Sequence, residues 1–443
     1  MKHIIMVAAI LGLMALNLKA QDAATKQPQK FSLQEAVAYA KKYNNALKNG
    51  TLDVVAAEKK VKEVLAMGLP NISASGSFMN NITVPSNVIN FGGQTTVIKF
   101  GNAYTASGTV TASQLLFDGG FLMGVKASKE FVSLSKINLK RTEVETELSV
   151  SKTYYSILLL NTNVTMVNSN LDAIAKTKFD FEKLAQNGLL DKIEYDRISL
   201  QYSSLELQRD KMIDQQKVLM MVLKLQMGLN VNDNIELTDD LQKMYDASKI
   251  VALANKVDYN NRLEYQLVNQ SIALNKLDKK RYQFGYVPSL AGYITTQRNT
   301  FGQDFNTLGK LWFPGTFWGL SLTVPIFDGL KKQAQIQQAE ISIKKAENDK
   351  QTLERAIEQE VFNARTNYDR AAKQIEIQKK NFELSQEIYN RTQLKVTNGL
   401  GSSLDLTNAQ RDLETARTSY LNTMYDYFVA QLDLRKAIGD LNK

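Results

Sequence analysis

Four short stretches of the chain alternate apolar with polar residues. Ile72, Ala74, Gly76 and Phe78 alternate with Ser73, Ser75 and Ser77. Tyr104, Ala106, Gly108, Val110 and Ala112 alternate with Thr105, Ser107, Thr109, Thr111 and Ser113. Trp318, Leu320, Leu322 and Val324 do so with Gly319, Ser321 and Thr323, and a less regular run covers Leu290 to Thr296. A period of two predicts strands with one apolar face, over about 70–81, 103–116, 288–298 and 316–326.

Elsewhere the apolar period is three to four. Leu353, Ile357, Val361, Ala364, Tyr368, Ala371 and Ile375 form one such stripe. A second runs from Leu406 through Ala409, Leu413, Ala416, Tyr420, Met424, Tyr427, Gln431 and Leu434 to Ile438. The pattern predicts helices over about 119–186, 190–227, 329–397 and 402–438. Shorter ones are expected from Phe31 to Met67, opened by the capping pair Ser32 and Glu35, and from about Asn260 to Phe284. At ~1.5 Å per residue a helix over 124–186 is about 95 Å long, so it must bury its stripe against neighbours along its whole length, as coiled coils do. Many stripe positions are small or aromatic, which suits helices packed side by side into a wall better than a two-stranded zipper.

The elements repeat. Phe117-Asp118-Gly119 and Phe327-Asp328-Gly329 are 210 residues apart (328 less 118), and each joins a strand pattern to a long helix. Asn187-Gly188-Leu189 and Asn398-Gly399-Leu400 interrupt the long helices at a spacing of 211 (399 less 188), as do Gly228 and Gly439 at their ends (439 less 228). Landmarks in the same order and near register indicate one domain-sized unit used twice. The first repeat covers 21–229 and the second 259–443. The polar segment 230–258 is a connector with a short helix.

Residues 1–20 have a basic start, an apolar run and a small-residue end at Ala20, the layout of a secretory signal peptide. Its removal takes away His3, the one histidine, and lowers the formal charge from +9 to +7 through Lys2 and Lys19. The chain has no cysteine. Triads built on histidine or cysteine and disulfide frameworks are thereby excluded, and neither a cofactor nor a metal is expected. Lysines and acids are interleaved along the helices, so the positive excess reads as solvated faces and not as a nucleic-acid surface.

Charge is nearly absent from the strand regions. From Pro70 to Phe117 only Lys99 is charged, and from Pro288 to Phe327 only Arg298, Asp304 and Lys310. Phe78, Phe100, Tyr104, Trp312, Phe313 and Phe317 cluster near strand ends. Uncharged strands of about ten residues, apolar on one face and flanked by aromatics, describe a membrane β-barrel. Four strands cannot close a barrel, and a lipid-facing sheet cannot leave its edges unpaired. Other copies of the chain must supply the rest. A strand wall that continues into a helix wall is a tube, whose simplest task is conduction.

The layout resembles the outer membrane efflux proteins, the TolC-like channels of Gram-negative bacteria, over essentially the whole mature chain. The resemblance rests on the duplication, the Leu116-Phe117-Asp118-Gly119 and Pro325-Ile326-Phe327-Asp328-Gly329 junctions, and the segment from Asn398 to Gln410. It implies a homotrimer in the outer membrane, with a twelve-stranded β-barrel continuing into a twelve-helix periplasmic barrel. It also implies a passive exit duct for an inner membrane transporter, joined by a periplasmic adaptor, and no enzymatic activity. The adaptor would dock at the hairpin tips, Asn187, Gly188 and Leu189 with Asn398, Gly399 and Leu400. The family's pore constriction maps to Asp405 and Asn408, with Glu194 and Arg197 at the equivalent places in the first repeat. Asn408 stands where a second acid is common and Gly401 where some members carry a basic gating residue, so a strong salt-bridge latch is not expected.

Plainer readings stand beside these. Asp405 sits where an acid caps a helix, and the tip glycines sit where glycine ends one. For the whole chain the competing reading is an exported structural coiled-coil protein of the cell envelope without a pore, which leaves the two uncharged hairpins unexplained.

Overall fold

The computed structural model describes residues 28–442 apart from 93, 100, 248–257 and 399. The expected signal peptide and part of the connector lie outside the described residues. The described chain forms two compact units. One gathers the described residues of Met1–Asn44, Thr146–Val251 and Ala371–Val429, the other those of Asn45–Glu145, Ala252–Arg370 and Ala430–Lys443.

The chain begins with β1 (Gln29–Phe31) and α1 (Leu33–Tyr43). The Ser32 hydroxyl accepts from the Glu35 N–H, and a Glu35 carboxylate oxygen accepts from the Ser32 N–H at 2.8 Å, which satisfies two of the free donors at the helix start. The single helix expected from Phe31 to Met67 is instead two, because Asn44 leaves the helical conformation (φ −60°, ψ 132°) before α2 (Asn45–Ala66) resumes. Its side-chain amide donates to the Gln226 carbonyl at 2.7 Å. The bend also lets Gly228 approach so closely that a Cβ there would lie 2.3 Å from the Tyr43 carbonyl oxygen. This tertiary contact overrides a helix-forming local sequence.

β2 (Asn71–Asn80), β3 (Ser86–Phe91), β4 (Gln94–Lys99) and β5 (Tyr104–Phe117) follow. Where a polar loop was expected between the first two long strands, β3 and β4 form a hairpin of their own. Then come α3 (Gly119–Gln186), α4 (Lys192–Met227), β6 (Ile235–Leu237) and α5 (Leu241–Ala247). After a 3-10 turn at Tyr259–Asn261 the chain runs through α6 (Leu263–Phe284), β7 (Ser289–Gly302), β8 (Phe313–Thr323), α7 (Lys331–Thr397) and α8 (Ser403–Ala437). Among the described residues no helix is long and apolar enough to cross a membrane.

The second unit holds an antiparallel sheet in the order β2-β5-β7-β8. Its register decides which residues share a face. Ile72, Ala74 and Phe78 stand opposite Ala112, Val110 and Ala106, while Ala112 faces Ile294 and Ile294 faces Trp318. The other face carries Ser73, Ser75 and Ser77 with Thr109, Thr111 and Ser113, then Thr295 and Gln297. Hydroxyls bond across it, Ser77 with Ser107 at 2.7 Å and Thr111 with Thr295 at 3.1 Å. One face is thus mainly hydrocarbon, with the paired hydroxyls of Thr296 and Thr316 on it, and the other mainly hydroxyl, with Tyr293, Phe317, Phe301 and Phe313 toward the β7 and β8 side. Ile72, Phe78, Ile294, Trp318 and Leu320 are all exposed, Trp318 at 76%.

Both strand-to-helix junctions turn on an aspartate. Asp118 accepts the Phe121 N–H at 2.6 Å at the head of α3. Asp328 accepts the Lys332 N–H at 3.1 Å and pairs with the Lys332 ammonium at 3.3 Å. These N-terminal caps explain why Asp-Gly recurs where a strand pattern becomes a helical one. In the same unit the buried Arg262 side chain donates to the Ala437 carbonyl at the end of α8 and to Glu360, both at 2.6 Å, closing carbonyls that the helix leaves free.

In the first unit α3 and α4 share a core of Val167, Leu171, Ile174, Ile198 and Leu205. Tyr389 of α7 packs with Leu406, Ala409 and Leu413 of α8. The rings of Tyr155 and Phe428 stack at 4.7 Å, tying α3 to α8. β1 and β6 form a short parallel pair, and the Tyr154 hydroxyl donates to the Phe31 carbonyl and to Asp239 beside it. Three-residue strands carry no periodicity to read, so the sequence does not announce them.

Candidate functional site

The tip and constriction candidates all belong to the first unit. At the α3–α4 turn, Gly188 adopts the left-handed conformation (φ 72°), and the Leu189 N–H donates back to the Leu184 carbonyl at 2.8 Å. Asp191 then caps α4 by accepting the Ile193 N–H at 3.0 Å. This is a complete helix stop and start, and it needs no partner. What it leaves over is Leu189, 74% exposed at the tip. The α7–α8 turn is built alike: Asn398 and Leu400 donate back to Leu394 and Lys395, and Leu400 is 80% exposed. Gly399 lies outside the described residues.

Asp405 is engaged at the head of α8. Its Oδ2 accepts from the Ser402 hydroxyl at 2.9 Å and from the Ser402 N–H at 3.3 Å, while the Asp405 N–H donates to the Ser402 hydroxyl at 3.1 Å. That is a reciprocal capping box with aspartate in the glutamate's place. Its side chain stays exposed, and Asn408, one turn on, is half-buried. Glu194 and Arg197 pair with each other at 3.6 Å. Among the described residues no ion pair links that couple to Asp405.

About three turns beyond Asp405 lies a polar node that apolar periodicity does not reveal. Glu414 Oε1 accepts from Arg417 at 2.8 Å, from Gln410 at 3.0 Å and from Asn170 of α3. Arg417, Gln410 and Asn170 are all buried, and the guanidinium lies 6.0 Å from the Phe382 ring of α7. Burial pushes the Glu414 carboxyl above its ordinary range, against the opposing pull of Arg417; the Tyr389 hydroxyl is raised by burial and by the charge of Glu414. A groove of about 550 Å³ between α4 and α8 opens onto the node, lined by Leu200, Gln201, Leu404 and Thr407 among others. A signal for the node did exist: Gln410, Glu414 and Arg417 are spaced at three and four on the stripe helix, where polar residues interrupt the apolar run.

α4 also presents apolar residues that nothing in its unit covers. Ile193, Leu200 and Leu207 recur at intervals of seven, as do Val218 and Leu225, and all five are exposed. A heptad stripe left bare is the surface of a helix that packs against another chain.

Residues 285–440 match the model of the outer membrane efflux protein family. Outer membrane protein TolC of Escherichia coli (strain K12) is 25% identical over 125 residues, 28% of this chain and 25% of that protein. TolC of Salmonella enteritidis is 22% identical over 208 residues, 45% of this chain and 41% of that protein. The chain thus aligns with less than half the length of these curated relatives. Among solved structures, VceC from Vibrio cholerae superposes with a TM-score of 0.71 at 16% identity, over 92% of this chain and 96% of VceC. CusC gives 0.72 at 18% identity (92% and 91% covered), and the open state of the Neisseria gonorrhoeae MtrE channel 0.71 at 16% (92% and 88%). At such identities the likeness is one of fold.

Proposed function

We propose that this chain is a homotrimeric outer membrane duct, on the match of residues 285–440 to the outer membrane efflux protein family and on a fold shared with outer membrane channels. In this reading it is the passive exit of a tripartite efflux or type I secretion system. A periplasmic adaptor joins it to an inner membrane transporter, which selects the cargo. The chain itself is a channel protein and not an enzyme.

The observation that carries the reading is the four-stranded sheet. One face is mainly hydrocarbon, the other mainly hydroxyl, and its edge strands β2 and β8 have no further neighbour among the described residues. In a bilayer unpaired edges are prohibitively costly, so the sheet must be completed by others of its kind. Three copies give twelve strands, an even number within the range of bacterial barrels, with hydroxyls lining the lumen. The bare heptad stripe on α4 is the matching demand among the helices.

The exposed tips support adaptor docking. Leu189 and Leu400 bury little within the chain, so replacing them should not disturb folding. We predict that L189D/L400D leaves trimer yield and thermal stability unchanged while efflux or secretion in a strain lacking its own duct falls by about tenfold or more, as expected for losing two apolar anchors of ~1.5 kcal/mol or more each. Unaltered transport by a correctly assembled variant would remove the tips from docking.

A further inference from the structure

One charge stands on the hydrocarbon face of the sheet. The register puts Arg298 of β7 opposite Gly108 of β5, which is opposite Gly76 of β2, and on the other side opposite Pro314 of β8. No neighbour in that row has a side chain long enough to shade a guanidinium, so Arg298 stands exposed over a shallow notch. Within the described chain it has no hydrogen-bond or ion-pair partner.

A second cation is brought to the same face by the loop after β7, which folds back over the sheet. A Cβ on Gly302 would lie 2.8 Å from the Asp304 carbonyl oxygen and the Leu308 nitrogen, so only glycine leaves room for the fold-back. The Gly309 N–H donates to the Thr300 hydroxyl at 2.9 Å, and Thr300 is buried beneath the loop. Phe305 packs edge-on against Phe78 and Tyr104 of the hydrocarbon face, at 6.5 and 6.0 Å. Thr300 is the next residue along β7 on the face that bears Arg298, so Lys310, which follows Gly309, is held one same-face position beyond that row. The loop's one acid, Asp304, is occupied by the Thr307 N–H at 2.9 Å.

A cation on a lipid-facing surface is costly unless it reaches the headgroups or meets an anion there. On this face Tyr104 and Phe305 lie at this end of the strands, and Trp312 follows in the loop, as aromatic side chains do at headgroup level. We infer that Arg298 and Lys310 form a binding site for the phosphate-bearing headgroup of an anionic lipid, with an acyl chain lying in the Gly108–Gly76 notch and passing Val110. Arginine supplies two parallel donors to phosphate oxygens and lysine a point charge. The inference rests on the hydrocarbon face meeting lipid and is independent of what the duct carries.

The test uses the chain's own probes, since its two tryptophans, Trp312 and Trp318, both lie at this face or its loop. The full-length protein is reconstituted in vesicles of phosphatidylcholine with increasing phosphatidylglycerol, one or the other brominated on its chains, and tryptophan quenching gives relative affinity. The expected result is selection of phosphatidylglycerol by about fivefold per cation, lost in R298Q/K310Q and largely kept in R298K. Quenching without selectivity, or selectivity unchanged in R298Q/K310Q, would overturn the lipid site while leaving the lipid-facing sheet intact. Quenching by neither lipid would overturn both. Loss of selectivity on adding inorganic phosphate alone would assign the cations to a free anion and overturn the lipid as ligand.

Discussion

Glu414 Oε1 gathers donors from three side chains, and the charge it carries is largely removed from water. Its folded-state pKa is raised, so the folded chain holds this proton more tightly than the unfolded one. The stability it contributes is therefore present below the ordinary glutamate range and is lost as pH rises through the raised value. Arg417 limits that loss. Replacing Arg417 by leucine should destabilise the protein by about 3 kcal/mol, the usual cost of stranding a buried charge, and by more at pH 8 than at pH 5. Thermal denaturation at the two pH values checks this; equal losses at both would mean that Glu414 is not the stranded group. Little of this node was legible beforehand, because Asn170 is 244 residues from Glu414 in sequence. The tip glycines, by contrast, showed in the spacing of the repeat, as did Gly228, though not the Tyr43 carbonyl that demands it.

At the scale of elements, alternation and the three-to-four period located the long strands and helices to within a few residues. They did so because each element there buries, or must bury, one face. The failures came where burial does not set the pattern: the break at Asn44, the β3–β4 hairpin and the β1–β6 pair. Asp405 was read from the sequence as either a cap or a pore acid, and its bonds to Ser402 establish the cap without removing the charge. Asp405→Ala should cost about 1 kcal/mol at the head of α8 and, if three copies ring the lumen, should weaken block by multivalent cations. Planar-bilayer recordings with a trivalent cation decide, since an unchanged block would leave Asp405 a cap alone. The sheet makes a sharper prediction. Leu320→Arg, on the hydrocarbon face, should lower stability in lipid vesicles by about 2–4 kcal/mol near the midplane. Ser75→Lys, on the hydroxyl face, should cost far less. Denaturant unfolding of both variants checks the pair, and equal costs would contradict the assignment of faces.

For the whole molecule, a single chain leaves two demands unmet: open sheet edges and a bare heptad stripe on α4. Both were foreseeable from strand count and stripe composition, because neither a four-stranded barrel nor an uncovered apolar helix face is stable alone. The number of copies was not, since two copies would also supply eight strands; three is what the resemblance to the efflux channels implies. The most direct measurement is electron microscopy of the mature protein purified from membranes in detergent. The account predicts a three-fold hollow cylinder with a detergent belt at one end and a helical barrel about 100 Å long. Solid rods or short fibres without a belt would contradict it and leave a structural coiled-coil protein in its place.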